Sequence, residues 1–271
     1  MIELVRIPSH HGEIHVLQGG TGPDLLYLHP AAGVKIGDPL LTRLATRYRV
    51  HAPLLPGFGD TEESTSIRDM QDVTLHTLDV MDTLGLDKPI VVGHSLGGMI
   101  AAEMAAVSPK EIDRLCLIAA AGLWIEAYPA PDIFSLLPKE VPAIMFHDAA
   151  AGEKMITADV NIHDPDFLIP FLVNNSRTMG MAGKFLFPIP ERGLKDRIHR
   201  IRAHTVLVWG DSDKVFAAPY AHAFREAIPG SELVIVAEAG HMVTWEQPDA
   251  VVAAIARLSQ VGALPQTPPR D

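Results

Sequence analysis

Short apolar runs rich in β-branched residues alternate along the chain with segments whose apolar positions recur every three or four residues. That alternation predicts an α/β architecture, a mainly parallel sheet with helices on both faces. Residues 2–7 and 13–18, parted by His10-His11-Gly12, predict an antiparallel hairpin. Further strands are expected at 24–29, 48–52, 89–92, 112–119, 204–209 and 232–236, which makes eight. Helices are expected at 39–46, 67–84, 96–107, 217–227 and 248–258. In the second of these, Met70, Val73, Leu78, Met81 and Leu84 mark one buried face. Pro89-Ile90-Val91-Val92 is apolar without alternation, as a central parallel strand buried on both faces requires.

The rhythm breaks between about 122 and 199. Strand-like runs vanish, and prolines stand at 129, 131, 138, 142, 165, 170, 188 and 190. The division expected is a core at 1–121 and 200–264, a helical cap at 122–199 and a flexible proline-rich tail at 265–271.

Gly93-His94-Ser95-Leu96-Gly97 sits between the apolar strand 89–92 and a helix. A serine on such a turn is lifted above the carboxyl ends of the strands, where open α/β sheets bind ligands. Small residues two positions away on either side leave room for the turn. The Leu96 N–H, at the helix start, then faces any oxyanion formed on a substrate.

A serine hydroxyl needs a base. Of the 13 histidines, His241 follows the strand 232–236 and reaches the same sheet edge as Ser95. The base in turn needs a carboxylate to orient it. Asp211 and Asp213, in Trp209-Gly210-Asp211-Ser212-Asp213, both lie at that edge, and the longer reach favours Asp213. The order Ser95, Asp213, His241 suits this kind of fold.

Composition narrows the field. Apolar residues form 48% of 271, enough for one large core. The formal charge of −11, with no basic cluster, disfavours nucleic acid and anionic membranes as partners. No run approaches a membrane span, and the first residues do not read as a signal peptide, so a cytoplasmic location is the default. The single cysteine, Cys116, excludes an intrachain disulfide and reads as a core residue. No motif calls for a metal or a cofactor, and His147-Asp148 and His163-Asp164 read as solvated surface. The partner expected is a small-molecule substrate; a homodimer is compatible.

Gly-His-Ser-Leu-Gly-Gly at 93–98, Trp-Gly-x-x-Asp at 209–213, Gly-His at 240–241, Pro56-Gly57-Phe58-Gly59 and Leu28-His29 together resemble the α/β-hydrolase superfamily. The resemblance covers nearly all of the chain except the cap. It implies a serine hydrolase with Ser95 as nucleophile, His241 as base and Asp213, the Asp of Trp-Gly-x-x-Asp, as acid. Where the family usually has His-Gly, this chain has His29-Pro30-Ala31-Ala32-Gly33. Proline has no N–H, so the second oxyanion donor expected is Ala31, with Ala32 as fallback.

The segment His241-Met242-Val243-Thr244-Trp245-Glu246 is also similar to hydrolases that cleave carbon–carbon bonds in ring-fission products. Trp245 and a cap cation, for which Arg177 is the candidate, would bind substrate on that resemblance; alternatively Trp245 packs the last helix against the sheet. The cap's apolar residues, Trp124 among them, predict a small or medium apolar ester or lactone as substrate. Dehalogenases and epoxide hydrolases of this fold are disfavoured, because they place Asp where Ser95 stands.

Overall fold

Residues 1–9, 12–157, 165–187 and 191–260 are described by the structure, a computed structural model. The strands are β1 (Glu3–Ser9), β2 (Gly12–Gly19), β3 (Asp24–Leu28), β4 (Arg49–Pro53), β5 (Ile90–His94), β6 (Arg114–Ile118), β7 (His204–Gly210) and β8 (Glu232–Val236). They form one eight-stranded sheet in the order β1-β2-β4-β3-β5-β6-β7-β8. β2 runs antiparallel to both neighbours, and every other pairing from β4 to β8 is parallel. The expected hairpin and strands are all present.

The helices are α1 (Pro39–Leu44), α2 (Met70–Thr83), α3 (Leu96–Val107), α4 (Val141–Met145), α5 (Ala149–Thr157), α6 (Pro165–Leu186), α7 (Leu194–Arg197), α8 (Ala218–Ala227), α9 (Val243–Glu246) and α10 (Pro248–Leu258). Between β6 and β7 the described residues carry helices and loops and no strand. The expected tail at 265–271 and the pair His163-Asp164 lie outside the described residues. α2 begins at Met70 rather than near residue 67, because the Asp69 carboxylate caps it by accepting the Asp72 N–H at 3.0 Å. Its buried face also differs from the expected one. Thr74, Thr77 and Val80 are buried with Met70, Val73 and Met81, and each threonine hydroxyl donates to a carbonyl one turn back.

Side chains of the central strands alternate between two cores. Val91, Leu115, Leu117, Leu207 and Trp209 face the layer of α2, α3 and α8. Ile90, Val92, Cys116, Ile118, Val206 and Val208 face that of α1 and α10. Cys116 is fully buried, and burial pushes its thiol up, so it stays protonated and inert. α3 is buried from Leu96 to Ala106, the price of carrying the central helix under other elements. Its one charge, Glu103, is held by Arg197 of α7 through two bonds of 2.9 and 2.6 Å. Arg197→Ala leaves that buried carboxylate without its ion partner. Because the guanidinium is over a third exposed, the loss is expected at about 2 kcal/mol, below the range for a fully buried pair. Urea denaturation at neutral pH measures it.

Candidate active site

Ser95 joins β5 to α3 at φ 53° and ψ −112°, a backbone conformation that strains any residue with a side chain. Three hydrogen bonds hold it there. Its N–H donates to the Ile118 carbonyl at 2.9 Å, and its carbonyl accepts from Met99 at 3.0 Å and Ala121 at 3.1 Å. The turn also needs Gly93 and Gly97. A Cβ on Gly93 would strike the Gly97 carbonyl, and one on Gly97 would strike that of Leu28. Although Ser95 stands at the helix N-cap, its side chain makes no capping bond and is left for another partner.

That partner is His241. Its Nε2 lies 2.9 Å from Ser95 Oγ, and its Nδ1 lies 3.0 Å from Asp213 Oδ2. Asp213 accepts only, so Nδ1 carries the proton and Nε2 accepts from the serine hydroxyl, a tautomer assigned from this network. All three side chains are buried. Asp213 Oδ1 accepts the N–H groups of Val215 at 2.8 Å and Phe216 at 2.9 Å, which aims Oδ2 at the imidazole. The indole of Trp209 fixes the far end of this loop by donating to the Phe216 carbonyl at 2.7 Å. Asp211 is exposed and accepts from the Ser212 hydroxyl at 2.8 Å, which holds its carboxyl below the usual range.

Leu96 is the first residue of α3, so its N–H is one of the four that no helix can satisfy internally. The turn after β3 is closed by the Gly33 N–H on the Pro30 carbonyl at 2.8 Å. Within it Ala31 is buried and Ala32 exposed. His29 grips the same carbonyl from Nδ1 at 2.8 Å, while its Nε2 accepts the Leu55 N–H at 3.1 Å. Because the peptide is planar and trans, a carbonyl held from behind turns the Ala31 N–H to the opposite side.

A cavity of about 10 Å³, room for one water, borders Ser95. Ala130, Pro131, Ile133, Phe134, Leu186, Val215 and Phe216 complete its wall. The other expected binding residues are placed elsewhere. Arg177 donates to the carbonyls of Gly59, at 2.8 Å, and Thr61. Trp124 is exposed and bonds Glu126 at 2.8 Å. Trp245 lies on α9, and its N–H reaches Asp38 at 3.1 Å. Asp38 caps α1 through the Leu40 and Leu41 N–H groups, so Trp245 fastens α9 to α1 rather than the last helix to the sheet.

Two contacts of the His241 loop went unread in the sequence. His94 points away from the cavity, yet its Nε2 donates to the His241 carbonyl at 2.9 Å, and its Nδ1 faces the Thr244 hydroxyl at 3.4 Å. Glu246 bonds the loop before His241 through the Gly240 N–H at 2.7 Å. No spacing rule announces either contact, since the first depends on how the loop after β8 meets the end of β5 and the second on how α9 folds back.

Burial drives His29 down to about 4, against the pull of its bond to Pro30, and His94 down to about 3, with the nearby His241 adding to the effect. Both stay neutral in the fold, whereas in the unfolded chain each titrates near 6.5. Below that value the unfolded chain binds more protons, so stability is lost as pH falls from about 6.5 towards 4. With both histidines counted, the slope approaches about 3 kcal/mol per pH unit. Urea midpoints taken between pH 7.5 and 4.5 measure it, and a flat profile there would contradict two buried neutral imidazoles.

A sequence model described as the alpha/beta hydrolase family matches residues 19–254. The chain is 28% identical over 237 residues to Lipase 3 of Moraxella sp. (strain TA144), covering 82% of this chain and 72% of the lipase. It is 26% identical over 265 residues to the 2-hydroxy-6-oxo-6-phenylhexa-2,4-dienoate hydrolase of Burkholderia cepacia, covering 88% and 87%. The solved structure of the meta-cleavage product hydrolase CumD from Pseudomonas fluorescens IP01 has the same fold. Its TM-score is 0.77, at 18% identity, over 94% of this chain and 97% of that one. With the family model spanning most of its length, and with this sheet and elbow, the chain belongs to the alpha/beta hydrolase family.

Proposed function

We propose that this hydrolase cleaves a carboxylic ester or lactone with a small or medium apolar acyl group, through an acyl-enzyme on Ser95. The observation that carries the proposal is the buried line from Ser95 Oγ through His241 to Asp213, at 2.9 and 3.0 Å, beside an apolar cavity. His241 Nε2 takes the hydroxyl proton as Oγ attacks the carbonyl carbon. Asp213 stabilises the imidazolium and keeps its orientation. The N–H groups of Leu96 and Ala31 bind the oxyanion; each such donor typically contributes about 3–4 kcal/mol to lowering the barrier. The imidazolium then protonates the leaving alcohol, and on the return half-reaction His241 activates the water that releases the acid.

The cavity wall is apolar apart from Ser95, and no charged side chain among the described residues lines it. That supports a neutral substrate. A second reading, cleavage of a carbon–carbon bond in a vinylogous diketone acid, is favoured by the similarity to the Burkholderia cepacia dienoate hydrolase. It needs a cation for the substrate carboxylate, and Arg177 is engaged by the Gly59 and Thr61 carbonyls.

A fluorophosphonate probe is expected to label Ser95 in the wild type, with peptide mass spectrometry locating the adduct; Ser95→Ala removes the label. Asp213→Asn keeps the shape but reverses the hydrogen bond that sets the tautomer, and is expected to lower kcat by on the order of a thousandfold to ten-thousandfold. Turnover of p-nitrophenyl acetate and butyrate, without turnover of a ring-fission dienoate, decides for the ester. The reverse pattern decides for the carbon–carbon bond. Because the cavity holds only about one water, Phe134→Ala is expected to raise kcat/KM for butyrate relative to acetate. An unchanged ratio would remove Phe134 from the acyl site.

A further inference from the structure

His241 stands on a loop that no ladder of the sheet holds, and three hydrogen bonds tie the two peptide groups that flank it, 239–240 and 241–242. The Gly240 N–H donates to Glu246 Oε2 at 2.7 Å. The His241 carbonyl accepts from His94 at 2.9 Å. The Met242 N–H donates to the Met145 carbonyl at 3.0 Å, across to the segment between β6 and β7. The second oxygen of Glu246, Oε1, accepts the N–H of His147 at 2.8 Å. One carboxylate therefore spans the Ala239–Gly240 peptide and the end of α4.

A separate observation points to the same junction. A Cβ on Gly240 would lie 2.8 Å from His147 N, Met145 O and Phe146 C. Gly240 has no left-handed φ, so its glycine is needed for the closeness of the two chains rather than for the backbone angle. The same α4 segment also reaches the loop of Asp213. His147 Nδ1 bonds the Ser212 hydroxyl at 2.7 Å, and Lys214 Nζ donates to the Ala143 carbonyl at 2.7 Å.

We propose that Glu246 is a positioning residue, setting the reach of His241 to Ser95 by bonding the Gly240 peptide and the end of α4 at once. The α4 end is then part of the machinery that places the base. The chain reverses through the single turn of α9, which brings the carboxylate back over the loop it left. An ionised acceptor makes both N–H bonds stronger than neutral ones. Without it the loop is freed at the Gly240 end, while His94 and Met145 hold only the other end. The inference rests on the function proposed above, because it concerns the base of that reaction.

The test uses the full-length protein as wild type, Glu246→Gln, Glu246→Ala and Gly240→Ala. The readings are melting temperature, the second-order rate constant for fluorophosphonate labelling of Ser95, and kcat and KM for p-nitrophenyl butyrate. Glu246→Ala is expected to lower labelling and kcat per folded molecule together, by on the order of tenfold to a hundredfold, with KM within about threefold. The kcat–pH profile should fall in plateau without moving its inflection. Glu246→Gln retains one acceptor oxygen and should fall between the two. Gly240→Ala, which forces the chains apart with Glu246 intact, should lose kcat in the same way, and it carries the test if Glu246→Ala does not fold. Wild-type labelling and kcat in the Glu246 variants, or an effect confined to KM or melting temperature, overturns the positioning role. A wild type that is itself not labelled sinks the proposed function, and the positioning role with it.

Discussion

At φ 53° Ser95 occupies a backbone region that costs of order 1–3 kcal/mol for a residue with a side chain, and much of the molecule is arranged to hold it there. β5 is buried along its whole length, α3 is buried for about three turns, and Ser95 between them is bonded to Ile118 and Ala121. The glycines at 93 and 97 let the turn approach its own helix and the end of β3. Relaxing the serine would require moving a central strand or a central helix. The strain is therefore stable, and it leaves the hydroxyl projecting from the sheet edge instead of capping the helix.

The same edge collects the other groups because of the strand order. β3, β5, β7 and β8 deliver Ala31, Ser95, Asp213 and His241 from their carboxyl ends. β6 lies between β5 and β7, and the chain leaving it begins with Ala119, Ala120 and Ala121, small and buried. His241 comes from the last strand, so it has the farthest to reach. Two buried imidazoles steady this arrangement without adding charge. His29 bridges the turn after β3 to Leu55, and His94 anchors the loop of His241. Burial keeps both neutral, so each can donate from one nitrogen and accept at the other. The consequence is that the architecture weakens in mild acid before its carboxylates titrate.

The residues between β6 and β7 contribute in two ways. Ala130, Pro131, Ile133, Phe134 and Leu186 close the cavity with apolar surface. The end of α4 instead meets the loops of Asp213 and His241 through backbone and polar groups. Closing the cavity and bonding the loops of Asp213 and His241 thus fall to different parts of the stretch between β6 and β7.

Periodicity and turn chemistry made the sheet readable, because strands buried on both faces must be apolar throughout and helices must carry a stripe. Gly-x-Ser-x-Gly between such elements located Ser95, since only small neighbours permit that turn. The ends of β7 and β8 narrowed the remaining partners to Asp211 or Asp213 and to His241, and reach and the family resemblance favoured Asp213. What the sequence could not decide was direction. Asp213 faces His241 and Asp211 faces solvent because Val215 and Phe216 turn their N–H groups onto one carboxylate. Arg177 and Trp245, read as substrate contacts, meet the 59–61 loop and Asp38 instead. His147, read as solvated surface, is exposed but bonded into the loop of Asp213. The sequence by itself determined which residues reach the carboxyl edge of the sheet, because burial and chain geometry act locally. Tertiary structure alone decided which of them meet, because hydrogen bonds between side chains and loops far apart in sequence exist only after the sheet and its insertion have packed.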